Sequence, residues 1–92
     1  MKQFSLCLTI NPNGRLISEL VEMFEKYNSN IFINKHTLER QVNGKSLIGF
    51  LSITPCLNDV LDIIIFGESE DNDVLDIQNK LKQMLSNDCI KG

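Results

Sequence analysis

Seven residues, Val60 to Phe66, carry a single polar side chain, Asp62, and are bounded by Asn58-Asp59 before them and Gly67 after them. A short apolar run closed at both ends by turn formers is the pattern of the central, best-buried strand of a sheet. A chain of 92 residues built around such a strand has room for one compact domain, and its 42% hydrophobic content supplies one modest core. The expectation is a single domain spanning residues 1–92.

The other segments supply partners for that strand. Phe4, Leu6 and Leu8 alternate with Gln3, Ser5, Cys7 and Thr9, the period of a half-buried strand, so Lys2 to Ile10 is expected to be the first one. Asn11-Pro12-Asn13-Gly14 then turns the chain. Ile17, Leu20, Val21 and Phe24 follow at helical spacing, which predicts a helix from Gly14 to Tyr27. Asn28-Ser29-Asn30 ends it, and Ile31, Phe32 and Ile33 open a hairpin that returns through Glu39 to Val42 after a polar turn at Lys35 to Thr37. Asn43-Gly44 turns again, and Ser46 is placed to cap a helix of about two turns that ends before Pro55. Val74, Ile77, Leu81, Met84 and Leu85 predict a third helix ending near Ser86, with Glu68, Glu70, Asp71 and Asp73 at its positive end. The order β-α-β-β-α-β-α is that of an α+β fold, an antiparallel sheet with helices over its apolar face and its other face open. No repeat, linker or low-complexity segment interrupts it.

Charge and cysteine usage narrow the function classes. Nine basic against twelve acidic side chains leave a formal net charge of -3, without the basic face that direct nucleic-acid binding requires. The three cysteines, Cys7, Cys56 and Cys89, are odd in number and contain no C-x-x-C pair, which favours buried or inert thiols over a disulfide framework or a zinc site. No metal or cofactor is expected. The N-terminus has neither a signal-peptide pattern nor a membrane span, so a cytoplasmic protein is expected.

Three local patterns resemble HPr, the histidine-containing phosphocarrier of the bacterial sugar phosphotransferase system. They are Asn13-Gly14-Arg15 at the first helix, Lys45-Ser46-Leu47-Ile48-Gly49-Phe50-Leu51-Ser52 at the second, and Gly67-Glu68-Ser69-Glu70 before the third. The resemblance covers nearly the whole chain and implies the family's open-faced β-sandwich, a four-stranded antiparallel sheet covered on one face by helices. In that family the first helix begins G-x-H-A-R-P, and its histidine receives and passes on a phosphoryl group. Here the segment reads Asn11-Pro12-Asn13-Gly14-Arg15-Leu16, with the arginine kept and the histidine and following proline absent.

The replacement is chemically decisive at that position. Imidazole offers a nucleophilic nitrogen near neutral pH, whereas a carboxamide is a very poor phosphoryl acceptor. Asn13 instead suits the helix cap, where its oxygen accepts an orphan backbone N–H. The helix N-terminus, Arg15 and the donor that Leu16 restores leave the basis for a weak anion site at this degenerate phosphocarrier position. The one histidine, His36, falls in the hairpin turn, away from any helix N-terminus.

Lys45-Ser46 resembles the site at which HPr, and its histidine-lacking relative Crh, are phosphorylated by a dedicated serine kinase, after which they act as corepressors of a carbon-catabolite regulator. Serine is also a common helix cap with no modification at all. Leu47, Ile48 and Leu51 either form an apolar docking patch, rimmed by Arg15 and Lys45, or fill the core.

Three functions follow. The first is a non-catalytic, Crh-like regulatory protein whose partners are an HPr kinase/phosphorylase and a transcription regulator or metabolic enzyme. The second is a phosphocarrier with a relocated acceptor, for which only His36 is available. The third is a small ligand-binding regulatory module, since fold alone does not fix function. Without a Gly-rich phosphate loop or paired catalytic carboxylates, an enzyme is not expected. An exposed patch or edge strand would allow two copies to pair, and the oligomeric state stays open.

Overall fold

The computed structural model describes residues 1–91 of the chain. Its elements are β1 (Lys2–Cys7), α1 (Gly14–Glu25), β2 (Asn30–Lys35), β3 (Gln41–Asn43), α2 (Leu47–Ser52), β4 (Val60–Phe66) and α3 (Glu70–Met84). The strands form one antiparallel sheet in the order β1-β4-β2-β3, so the apolar run Val60–Phe66 is an inner strand, as its composition predicts.

Register explains the core. Phe4 and Leu6 lie opposite Ile63 and Leu61, Ile31 and Ile33 lie opposite Ile65 and Ile63, and Val42 lies opposite Ile33. Every second residue therefore joins one apolar face. That face packs against Ile17, Leu20, Val21 and Phe24 of α1, Phe50 of α2, and Ile77 and Leu81 of α3. Only one face is covered, so burial within β4 alternates: Leu61, Ile63 and Ile65 are inaccessible while Phe66 is exposed. On the open face the Phe32 and Phe66 rings stack with centroids 5.4 Å apart.

Several boundaries differ from the sequence expectation. The first strand stops at Cys7 rather than Ile10, because its partner β4 begins at Val60, directly opposite Cys7. Leu8 still exchanges backbone bonds with the loop before β4, to Asp59 (2.9 Å) and from Asn58 (2.8 Å), and Thr9 and Ile10 lie beyond the ladder. The first helix ends at Glu25 rather than Tyr27, and the N–H groups of Lys26 and Tyr27 tighten to i−3 bonds with Met23 (3.3 Å) and Phe24 (3.2 Å). Lys35 is not a turn residue: it is the last residue of β2, on the buried row with Ile31 and Ile33. The chain also returns past α3, where Ile90 bridges to Leu6 and covers the outer edge of β1.

Candidate functional site

Asn13 has extended backbone angles (φ −67°, ψ 170°), and its Oδ1 accepts the N–H of Leu16 at 2.9 Å. Its carbonyl accepts from Ile17 at 3.1 Å, the first bond of α1. Asn13 is therefore the helix cap, with its side-chain oxygen committed to the backbone. The Leu16 N–H is thus occupied by Asn13 and is not free for an anion. Gly14 is exposed, with open space where a Cβ would stand. The Arg15 side chain is 89% exposed and its Nε pairs with Glu19 Oε1 at 3.2 Å along the helix. A pair that exposed contributes little to stability, and the guanidinium stands at the surface beside the helix start.

Ser46 is half-buried and caps α2, its Oγ accepting the N–H of Gly49 at 3.0 Å. A Cβ on Gly49 would lie 3.2 Å from both Ser46 Cβ and Oγ, so glycine there leaves room for the capping side chain. Leu47 and Leu51 are 40% and 44% exposed and Ile48 is 82% exposed, whereas Phe50 is fully buried. The core is thus filled by Phe50, and the three other apolar side chains remain at the surface of a helix that packs on α1. Lys45 is turned inward: its Nζ donates to the Tyr27 carbonyl at 2.6 Å, at the C-terminal end of α1. That helix carries no basic residue in its own last turn, and Lys45 supplies the missing cation from another segment.

His36 lies in the hairpin turn, half-exposed, and its Nε2 is 2.8 Å from Asp62 Oδ1, which also accepts from Ser5 Oγ at 3.2 Å. This trio sits on the open sheet face, separate from both helix caps. All three cysteines are free: Cys89 is buried, Cys7 half-buried and Cys56 exposed.

Other polar contacts escaped the sequence reading. Lys35 Nζ reaches Asp59 Oδ2 (3.0 Å) and the carbonyls of Ile53 (3.2 Å) and Thr54 (2.9 Å), tying the end of α2 to the sheet. Its position in the Ile31, Ile33 row was the available signal. Ser29, inside the fold, donates to Asp73 Oδ2 at 2.7 Å, as does Ser69 at 2.8 Å, and the Ser29 bond first of all holds the Asp73 carboxyl below its ordinary range. The Tyr27 hydroxyl bonds Asp76 at 2.5 Å, and burial together with that carboxylate pushes the phenol up. No sequence pattern pairs Ser29 with Asp73, or Tyr27 with Asp76, across such separations.

Among the described residues no helix is long and apolar enough to cross a membrane, and no group of His, Cys, Asp and Glu is placed to hold a metal. The arrangement is an open-faced sandwich presenting two helix starts capped by side chains and an apolar patch. A family model described as the PTS HPr component phosphorylation site matches residues 8–83, and the chain belongs to the HPr family of the phosphotransferase system. Members of this family are phosphocarriers rather than enzymes in their own right.

Solved structures agree on the fold. The histidine-containing phosphocarrier protein of Mycoplasma is 23% identical, with a TM-score of 0.77 over 91% of this chain and 97% of that one. HPr from Thermoanaerobacter tengcongensis is 20% identical, with a TM-score of 0.79 over 91% and 94%. The Bacillus subtilis catabolite repression protein Crh is 20% identical, with a TM-score of 0.65 over 87% of each chain. No curated protein sequence matches this one.

Proposed function

We propose that this single HPr-like domain is a non-catalytic regulatory protein of the phosphotransferase system, of the Crh type. In this reading it is phosphorylated on Ser46 by an HPr kinase/phosphorylase in the cytoplasm and then binds a transcription regulator or a metabolic enzyme as a corepressor or effector. The observation that carries the reading is Asn13: at the position that the sequence resemblance matches to the family's phosphoryl acceptor, its carboxamide oxygen is held by Leu16 N–H at 2.9 Å. A group that lacks a nucleophilic nitrogen and serves as a cap has no part in phosphoryl transfer.

Ser46 suits the alternative role. A phosphate there adds roughly two negative charges at the start of α2, beside backbone donors and the helix dipole. Leu47, Ile48 and Leu51 lie within the following turn and offer apolar surface to a partner. Modification therefore changes the charge at the rim of an exposed patch without requiring the core to move. The rival carrier reading has only His36, whose neighbour Asp62 places negative charge beside an incoming phosphoryl group. The third reading, a ligand-binding module, predicts no phosphate from either donor.

Intact-mass analysis after incubation with ATP and HPr kinase, run beside Ser46→Ala and repeated with phosphoenolpyruvate and the general transfer enzyme, tests the reading. One Ser46-dependent phosphate from ATP alone supports it. Labelling from phosphoenolpyruvate would overturn it in favour of a carrier, and no label from either donor would leave a partner-binding domain without phosphoregulation.

A further inference from the structure

The chain contains two Asn-Gly pairs, Asn13-Gly14 and Asn43-Gly44, whose peptide nitrogens meet different surroundings. Gly14 is the first residue of α1, so its N–H is one of the donors without an intrahelical acceptor, and both Asn13 and Gly14 are exposed. Gly44 is buried, and its N–H donates to the Ile31 carbonyl at 2.8 Å where the chain leaves β3. A Cβ at Gly44 would stand 2.9 Å from Ile31 Cγ2, whereas one at Gly14 would meet open space. The side-chain oxygens are held alike, Asn13 Oδ1 by the Leu16 N–H and Asn43 Oδ1 by the Lys45 N–H, each at 2.9 Å. The difference between the pairs therefore lies in the glycine nitrogen.

We propose that Asn13-Gly14 is a site of spontaneous deamidation, which replaces the neutral cap of α1 by a carboxylate. The Gly14 nitrogen, having given its proton to solvent, bonds to Asn13 Cγ while charge builds on Oδ1, where the Leu16 N–H already stands to stabilise it. The carboxamide C–N bond breaks, ammonia leaves, and a cyclic imide remains. Water then opens the ring at one carbonyl or the other. Opening at Cγ gives aspartate; opening at the backbone carbonyl gives isoaspartate, whose main chain runs through the former side chain. Ring closure turns Asn13 about its Cα–C bond away from the extended ψ of 170°, a movement the exposed first turn of α1 allows by fraying. At Asn43 the same movement breaks the Gly44 bond to Ile31 and disturbs a glycine packed against that side chain. Aspartate caps a helix as well as asparagine does and adds negative charge at the positive end of the dipole, so this product keeps α1. The outcome is a change of charge beside Arg15 that takes only water as co-reactant.

The test incubates the full chain, folded, at mildly alkaline pH and follows each Asn-Gly pair by peptide mapping that separates aspartate from isoaspartate, beside Gly14→Ala and the native chain in urea. Folded, Asn13 should convert faster than Asn43 by about tenfold, the factor for having first to break a backbone bond at Gly44. In urea the two rates should converge. Gly14→Ala, whose methyl has room in the fold but crowds the attacking nitrogen, should suppress conversion at position 13 alone. Equal rates at the two sites in the folded chain, faster conversion at Asn43, or an Asn13 that reacts only in urea would each overturn the assignment.

Discussion

Lys45 Nζ donates to the Tyr27 carbonyl at 2.6 Å, which joins the residue before the α2 cap to the C-terminal end of α1. The bond satisfies a helix-terminal carbonyl and places a cation at the negative end of the dipole, while the Tyr27 hydroxyl reaches Asp76 on α3. Three helices are thus linked through one tyrosine. Replacing the ammonium by an apolar chain of similar length, Lys45→Met, should lower stability by about 1–2 kcal/mol, the size of a charge-assisted bond in a partly exposed setting. Urea unfolding measures it, and an unchanged midpoint would show the contact to be inert.

Asn13→Ala should cost about 1 kcal/mol, because Leu16 N–H loses its acceptor while nothing else changes. Asn13→His separates capping from chemistry: the fold should persist with a similar loss, and the variant should take a phosphoryl group from the phosphoenolpyruvate-dependent enzyme when the native chain does not. Acid-labile, base-stable phosphate on the variant alone is the expected signature. Its absence would mean that a histidine at position 13 is not enough for transfer.

Lys35→Met removes the cation from Asp59 and the ammonium donor from the Ile53 and Thr54 carbonyls. Lys35 is itself buried, so the cost should be about 3 kcal/mol, near that of breaking a buried pair from one side. Asp59→Asn keeps a polar partner and should cost less. Equal effects in chemical denaturation would contradict this account of the α2 anchor.

The Asp73 carboxyl is held below its ordinary value of 3.8, chiefly by Ser29 and further by Ser69. A folded-state value below the unfolded one contributes stability that is complete above the unfolded value and is lost as pH falls through the folded one. Asp73→Asn should therefore flatten the acid limb of the stability profile below about pH 4 and lower stability at neutral pH. If native and variant curves stay parallel from neutral pH to the acid transition, the carboxylate is not the group responsible.

Much of the fold was legible because burial imposes a period on the sequence. Val60–Phe66 announced an inner strand, the spacing of Ile17, Leu20, Val21 and Phe24 announced α1, and both caps followed from the type of residue at Asn13 and Ser46. These depend on the chain's own neighbours, and that Asn13 offers no nucleophilic nitrogen is a matter of functional-group chemistry.

Which apolar residues of α2 face outward was undecidable from a six-residue helix with four large apolar side chains, Leu47, Ile48, Phe50 and Leu51, because its turn count is too small to define one face. Packing decided it by burying Phe50. The end of β1 at Cys7 depended on where β4 begins, and the roles of Lys35, Lys45 and Ser29 depended on acceptors brought from distant segments. Sequence by itself determined periodicity, caps and the chemistry absent from Asn13, since these act over a few residues. Tertiary structure decided edges, buried cations and exposed patches, since a donor's partner and a side chain's solvent are settled only when remote segments meet.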